Sequence, residues 1–378
     1  MSPDDIKSFS GVFLNKRVLI TGHTGFKGAW LTEWLLALGA DVHGFSLPPP
    51  TTPALFDQLD LAPRLGSRHR IGDIRDRALV RDTVASIRPE FIFHLAAQSL
   101  VRHSYREPVE TYDTNIMGTV HVLDAARLAA NPCAIVAVTT DKCYENKEWL
   151  HAYREEDPMG GHDPYSASKG AAELVIQSYR QAFFASAGSP IRLASARAGN
   201  VIGGGDWAAD RIVPDCIRAL VRKEPIPVRN KIATRPWQHV MEPLGGYLWL
   251  AVALSGQLPG RFHFPATAYT GAFNFGPHPE ANRTVAALVQ EILKHWPGQW
   301  SDQSDPKAPH EASLLNLAID KARHLLEWKP VWNFEETVAH TIEWYRIAAE
   351  QPSNAGAHTR HQILNYTANA AAKHLPWT

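Results

Sequence analysis

The stretch KRVLITGHTGFKGAWLTEWLLAL, residues 16–38, decides how the rest of the chain is read. Lys16 to Thr21 has the unbroken apolar centre of a buried strand, and Ala29 to Leu38 has helical length. Between them Gly22, Gly25 and Gly28 fall at the end of the strand and the mouth of the helix. Glycine permits a tight turn and close backbone approach, and the free N–H groups of a helix start favour an anion such as a pyrophosphate. Strand, glycine turn and helix in this order predict a dinucleotide-binding unit; the GxxGxxG spacing alone also serves plain packing turns.

Working outward, a second strand is expected at Asp41 to Leu47, after which Pro48, Pro49, Pro50 and Pro53 forbid regular pairing and impose an irregular excursion. Further strands are expected at His69–Ile71, Phe91–Leu95, Ala134–Thr139 and Ile191–Ala196, and helices at Asp76–Ile87, Asp113–Ala130 and Tyr165–Phe184. Short apolar strands alternating with helices predict an α/β fold, a doubly wound parallel sheet of Rossmann type. After Asn200 come the glycines 203–205, a helix at Ile212–Val221 and a basic segment ending in Arg235, Pro236, Trp237, Gln238 and His239, which suggest a smaller substrate-binding lobe. The expected division is a dinucleotide-binding domain at 12–199, with 236–268 (including the apolar run Leu244–Leu254) returning to it. A substrate lobe takes 200–235 and 269–350, with helices at Thr284–His295 and Phe334–Ala349, and residues 351–378 form a C-terminal tail. For that tail, disorder, surface docking and oligomer contact are all open.

The 378 residues carry 38 Lys plus Arg against 38 Asp plus Glu, so no net field draws the chain to nucleic acid or an anionic membrane. No basic, aromatic-interleaved tract points to nucleic acid, and no stretch approaches 18 uninterrupted apolar residues. Cys133, Cys143 and Cys216 are scattered, which fits buried thiols in a reducing cytoplasm. The histidines show neither HExxH nor paired CxxC ligands, so no metal is expected.

An acid usually ends the second strand of such a fold and binds the adenosine ribose; here Gly44, Phe45, Ser46 and Leu47 occupy that place. Lys27 and Arg75 can receive a 2′-phosphate or simply face solvent. Asp73, in GDIRD, can accept from the adenine amino group or cap the helix near Asp76. Tyr165 and Lys169, in PYSASKG, lie four apart and share one helix face. Lowering a tyrosine from ~10 toward ~7 needs roughly 4 kcal/mol, which Lys169 together with a positive nicotinamide can supply, making the phenolate a hydroxyl base. His94 and Gln98 flank the end of the fourth strand and are candidates for the ligand pocket, with a satisfied core role as the alternative for His94. Arg235 can supply a bidentate clamp, with Arg211 as a less certain partner. Trp207 and Trp237 face either a base or sugar, or the core.

Through GHTGFKG, Tyr165-Ser-Ala-Ser-Lys169, His94-Leu-Ala-Ala-Gln98, Thr139-Thr-Asp-Lys142 and Arg197-Ala-Gly-Asn200, the chain resembles the extended short-chain dehydrogenase/reductase family over most of residues 15–345. Within it, GHTGFKGAWL, TTDKCYEN with Trp149, MGGHDPYSASKG and GNVIGGGDWAADRIVPD resemble the CDP-glucose 4,6-dehydratases. The resemblance implies NAD as cofactor, held by Gly22, Gly25, Phe26, Gly28, Asp73, Ile74, Leu95, Ala96, Ala97, Tyr165 and Lys169. It implies a nucleotide-sugar substrate contacted by His94, Gln98, Asn200, Arg211 and Arg235, and a homodimer pairing the helices that carry the Tyr-x-x-x-Lys segment. Its catalytic set is Thr140 on the C4 hydroxyl, Asp141 as acid for the departing C6 hydroxyl, Tyr165 as C4 hydroxyl base with Lys169, and Lys142. Relatives that act on dTDP-glucose carry a glutamate at the position of Lys142. Lysine there acts as a neutral base for the C5 proton or as a charged enolate stabiliser; the plain alternative is a surface lysine paired with Glu145 or Glu156. Rival readings are a sugar-nucleotide 4-epimerase, a dehydratase of another nucleotide-sugar and a non-catalytic NAD(P)-binding regulator.

Overall fold

Arg17–Thr21 forms β1, in which Val18 and Ile20 enter one core cluster and Leu19 the other, so alternate residues feed the two faces of a sheet buried on both sides. The computed structural model of the protein describes residues 8–186, 188–260, 262–304 and 314–378. In chain order the main elements are β1, α1 (Phe26–Ala37), β2 (Asp41–Ser46), β3 (His69–Ile71), α2 (Arg77–Ile87), β4 (Phe91–His94), α3 (Gly118–Ala129), β5 (Cys133–Val138), α4 (Pro164–Tyr179) and β6 (Ile191–Ala198). Then follow α5 (Ile212–Arg222), α6 (Met241–Ser255), β7 (Gly271–Phe275), α7 (Val285–His295), α8 (Phe334–Glu350) and α9 (Ala355–Ala372).

The seven strands lie in the order β7-β6-β5-β4-β1-β2-β3, and every pair is parallel. The order reverses between β1 and β4, where a doubly wound sheet opens a crevice at its carboxyl edge. Trp30 and Trp34 of α1 and Leu248 and Trp249 of α6 join the core cluster on one face; Val80 and Val84 of α2, Val122 of α3 and Ile176 of α4 join that on the other. Beyond the sheet, α7 packs on α8, and the short parallel pair Ile226–Val228 and Trp300–Asp302 lies beside α5.

The expected α/β fold, its strands and most of its helices match this architecture to within a few residues. Four places differ. Asp113–Met117 is a π-helical turn before α3, and Arg180–Phe184 is another after α4, where continuous α-helix was expected. In the first, buried Asn115 bonds the Gln98 backbone at 2.9 and 3.0 Å and Ser168 Oγ at 2.8 Å. Gly271–Phe275, allotted by sequence to the substrate lobe, is instead the edge strand of the main sheet beside β6. Residues 355–372 are neither disordered nor loosely docked: α9 buries Thr359, Ile363, Tyr366 and Ala370. Beyond it Trp377 stacks on Phe9 at 5.0 Å, so the two ends of the described chain close on one another.

Candidate active site

β5 ends at Val138, and the chain turns through Thr140, whose side chain accepts from Lys142 N at 3.3 Å and caps the short turn Asp141–Cys143. Thr140 Oγ1 also donates to Asp141 Oδ1 at 2.9 Å, while buried Asp141 Oδ2 has no hydrogen-bond partner among the described residues. Gly199 leaves room for that oxygen, because a Cβ there would stand 2.9 Å from it.

α4 begins at Asp163, whose carboxylate accepts from Ser166 N at 2.9 Å, with Pro164 in the first turn. One helical turn apart, Tyr165 and Lys169 are both buried, and Lys169 Nζ reaches Val138 O at 3.5 Å. Two turns along, Glu173 fixes the helix against the sheet: it accepts from Ser195 at 2.8 Å, from both edges of Arg197 at 2.9 and 2.8 Å, and from Thr139. This buried anchor on α4, β5 and β6 holds Tyr165 beside Thr140.

Burial pushes the Tyr165 phenol up to about 12, against the Thr140 hydrogen bond and the Arg211 charge. It pushes Lys169 down to about 8, opposed by Glu173. Asp141 is raised by burial, although Lys142, Thr140, Arg235 and Lys27 all favour its carboxylate. The site therefore holds a neutral phenol and a carboxyl group disposed to keep its proton, in a ring of cations.

Gly22, at φ +80°, lies where a Cβ would stand 2.7 Å from Ala96 N, so only glycine lets the first turn cross the chain after β4. Leu95 N and Ala96 N bond Thr21 at 3.0 and 3.3 Å, and Ala97 follows, half-buried. A Cβ on Gly28 would collide with Gly22 O, whereas one on Gly25 meets only Gly22 O, at 3.4 Å. Gly25 caps α1 with no side-chain hydrogen bond, leaving first-turn amides for an outside acceptor. Phe26 packs at Gly203, and buried Ile74 packs on Gly118. This cradle fits a dinucleotide.

Several sequence expectations need correction. Both nitrogens of buried His94 are occupied, by Thr21 at 2.7 Å and Thr119 at 3.1 Å, so it is a satisfied core side chain rather than a substrate contact. Gln98 spends its amide on Thr111 at 2.8 Å and Leu100 N at 2.5 Å, shaping the loop instead of facing a ligand. Asp76, not Asp73, caps α2. Asp73 bonds Arg75 at 2.6 and 2.9 Å, which occupies the guanidinium proposed for a 2′-phosphate. Lys27 turns into the site: its Nζ stands 5.9 Å from the Tyr247 ring, and burial, Arg211 and Lys169 lower it to about 8 against Asp141. Trp237 is core, bonded to Arg283 O at 3.0 Å, and Trp207 bonds Gln58 and packs on Tyr345. Lys142 pairs with neither Glu145 nor Glu156; Glu145 pairs with Lys147 at 3.6 Å.

Asn200 is exposed beside Gly199. Arg235 lies on the short strand Thr234–Pro236, donates to Thr234 O at 2.8 Å, and its charge reaches Asp141. Arg211 pairs with Asp206 at 2.8 Å and its charge reaches Tyr165. Reading by motif missed Glu173, Asp206 and Tyr247, and gave Lys27 a 2′-phosphate or solvent in place of its half-buried position near Asp141. Lys27 stood in the glycine turn itself, and Asp206 in the GGGDW string.

The sequence model of the GDP-mannose 4,6 dehydratase family matches residues 19–341. The chain is 46% identical over 335 residues to the CDP-glucose 4,6-dehydratase of Salmonella typhimurium, covering 88% of this chain and 90% of that one. It is 29% identical over 341 residues to the dTDP-glucose 4,6-dehydratase of Streptomyces antibioticus, covering 87% and 92%. The fold superposes on the crystal structure of DesIV, a dTDP-glucose 4,6-dehydratase from Streptomyces venezuelae solved with NAD and TYD bound. That match has a TM-score of 0.71 and 24% identity, over 89% of this chain and 99% of that one.

Proposed function

Because the chain belongs to the GDP-mannose 4,6-dehydratase family of extended short-chain dehydrogenases/reductases, we propose that it is a CDP-glucose 4,6-dehydratase, converting CDP-glucose to CDP-4-keto-6-deoxyglucose and water. The observation that carries this reading is Asp141, a buried carboxyl with one oxygen unpartnered among the described residues, raised by burial, whose charge acts on Tyr165. Loss of the C6 hydroxyl as water needs an acid held in this way, and epimerisation at C4 does not.

The residues divide the work by position. Thr140 holds the C4 hydroxyl, and Tyr165 takes its proton. Lys169, fixed against Val138 O by the helix that Glu173 anchors, favours the phenolate. Lys142, half-buried and free of any ion pair among the described residues, handles the C5 proton once the C4 ketone has acidified it. Asp141 gives its proton to the departing C6 oxygen. Gly22, Gly25 and Gly28 with the start of α1 hold the cofactor pyrophosphate. Bound NAD would supply the hydride acceptor at C4 and the hydride donor at C6, and its positive charge would favour the Tyr165 phenolate. Asn200 and Arg235 take the diphosphate.

The protein is further read as a cytoplasmic homodimer. Val109, Met117 and Leu174, 80%, 43% and 56% exposed, lie on adjoining segments that include α4, an apolar strip suited to a second copy. No helix among the described residues is long and apolar enough to cross a membrane. The test of function is a panel of CDP-, dTDP-, UDP- and GDP-glucose with product analysis. Preferred conversion of CDP-glucose to the 4-keto-6-deoxy sugar is expected. Equal or better turnover of dTDP-glucose would overturn the cytosine assignment, and a C4-epimerised product would overturn dehydration.

A further inference from the structure

The side chain of Lys142 makes no ion pair and no hydrogen bond among the described residues, so only its backbone aims it. Before it, Thr140 Oγ1 accepts from Lys142 N at 3.3 Å. After it, Cys143 O accepts from Gly160 N at 2.9 Å and lies 3.2 Å from where a Cβ on Gly170 of α4 would stand. Tyr144 then enters the core. It is 1% exposed, its ring stacks on Tyr153 at 5.2 Å, and its backbone forms an antiparallel bridge with Met159.

The Tyr144 hydroxyl is held from two sides. It donates to Asn274 Oδ1 of β7 at 2.7 Å and accepts from Arg197 Nη1 of β6 at 2.7 Å. Burial raises the phenol, against the Arg197 charge, which keeps it a donor. The Asn274 amide has one orientation, because its Nδ2 faces two carbonyls, Tyr153 O at 2.9 Å and Ala318 O at 3.1 Å. The same guanidinium donates through Nε and Nη2 to Glu173, the anchor of the Tyr165–Lys169 helix, at 2.9 and 2.8 Å. Different nitrogens of one buried arginine therefore fix the helix that carries the oxidation pair and the turn that carries Lys142.

We propose that Tyr144 is a positioning residue for the elimination half of the reaction: its hydroxyl, bonded between Arg197 and Asn274, fixes the reach of Lys142, while the Glu173 bonds fix Tyr165 and Lys169 for the oxidation half. This inference rests on the reading of Lys142 as the group that handles the C5 proton. A displacement of about 1 Å at a reacting group costs on the order of 10²-fold in rate, so loss of this one hydroxyl registers in the step that Lys142 serves.

The experiment begins with whichever nucleotide-glucose the wild-type enzyme dehydrates; dehydration of none refutes the functional reading and is thereby distinguished from failure of this one. With that substrate, single-turnover mixing follows NADH formation, which reports C4 oxidation, and rapid quench follows the 4-keto-6-deoxy product. Tyr144→Phe is expected to slow product formation at least tenfold while NADH formation changes less than twofold, so that NADH accumulates. In a Lys142→Ala background, Tyr144→Phe is expected to slow product formation less than twofold further, because the side chain it aims is gone. Wild-type rates in Tyr144→Phe, or additive effects of the two substitutions, would overturn the proposal. So would equal slowing of oxidation and elimination, the result of a role confined to stability. Arg197→Lys, which keeps a charge beside Glu173 and cannot span both partners, keeps the proposal falsifiable where Tyr144→Phe fails to fold. Elimination slowed more than oxidation is expected there, and the equal or reverse order overturns the proposal.

Discussion

Tyr366 donates its phenolic hydrogen to Glu242 Oε2 across 2.7 Å, tying α9 to the first turn of α6 inside the core. The same carboxylate accepts from Val331 N at 2.9 Å and Trp332 N at 2.7 Å, so three segments distant in sequence meet on one buried side chain. Burial raises Glu242 from the ordinary 4.5 to about 7, against those hydrogen bonds and Lys373.

A raised acid favours the folded state while protonated. Between pH 4.5 and about 7 the folded chain keeps a proton on Glu242 that the unfolded chain releases, so this stabilisation falls as pH rises through that window and then levels. The loss is of order 3 kcal/mol. Denaturant unfolding of wild type and Glu242→Gln across this range checks it: the stability difference should drift against wild type as pH rises. A pH-independent difference would contradict the assignment.

Glu173 has the opposite sign. Burial opposes its charge, but Arg197, Thr139 and Ser195 hold its carboxylate below the ordinary range. Its contribution is present above that range and lost as pH falls through the depressed value. Glu173→Gln leaves Arg197 buried without its counter-charge, a cost of about 3–5 kcal/mol. Thermal unfolding at pH 7 should show the loss, with a flatter acid limb.

The glycine turn separates packing from binding. Gly28→Ala should destabilise the fold by about 1–3 kcal/mol, because its methyl meets Gly22 O. Gly25→Ala should keep wild-type stability, since its methyl makes only an ordinary contact with Gly22 O at 3.4 Å, yet weaken NAD binding at least tenfold where the pyrophosphate approaches. Calorimetric titration with NAD, paired with unfolding curves, reads both; unchanged NAD affinity in a folded Gly25→Ala protein contradicts the cradle.

Asp141→Asn should cut dehydration by about 10²–10⁴ while substrate-dependent reduction of NAD at C4 persists. Because burial raises Asp141, the wild-type rate should fall as pH rises through its pKa, and the asparagine variant should lack that limb. Tyr165→Phe should instead suppress the initial oxidation. Rapid-quench analysis of NADH and ketone separates the two; equal loss of oxidation in Asp141→Asn would contradict its role as the C6 acid.

The sheet and the catalytic pair were legible because their signals are local. Apolar runs mark β1, β4, β5 and β6, glycines bracket the first turn, and a four-residue spacing places Tyr165 over Lys169. What was not legible depends on partners far along the chain. His94 looked available for a ligand until Thr21 and Thr119 took its nitrogens. Glu173 needs Arg197, 24 residues away, and α9 needs Glu242, 124 residues from Tyr366, to explain why an alanine-rich tail is core. β7 was missed because GAFNF is short and carries glycine and asparagine, yet it gains burial by pairing with β6.

The most direct test of dehydration with a recycled hydride is the fate of deuterium placed at C4 of CDP-glucose. The label should be recovered at C6 of CDP-4-keto-6-deoxyglucose, with solvent hydrogen incorporated at C5. Loss of the C4 label to solvent, or its return to C4 in an epimerised sugar that keeps its C6 hydroxyl, would contradict the account.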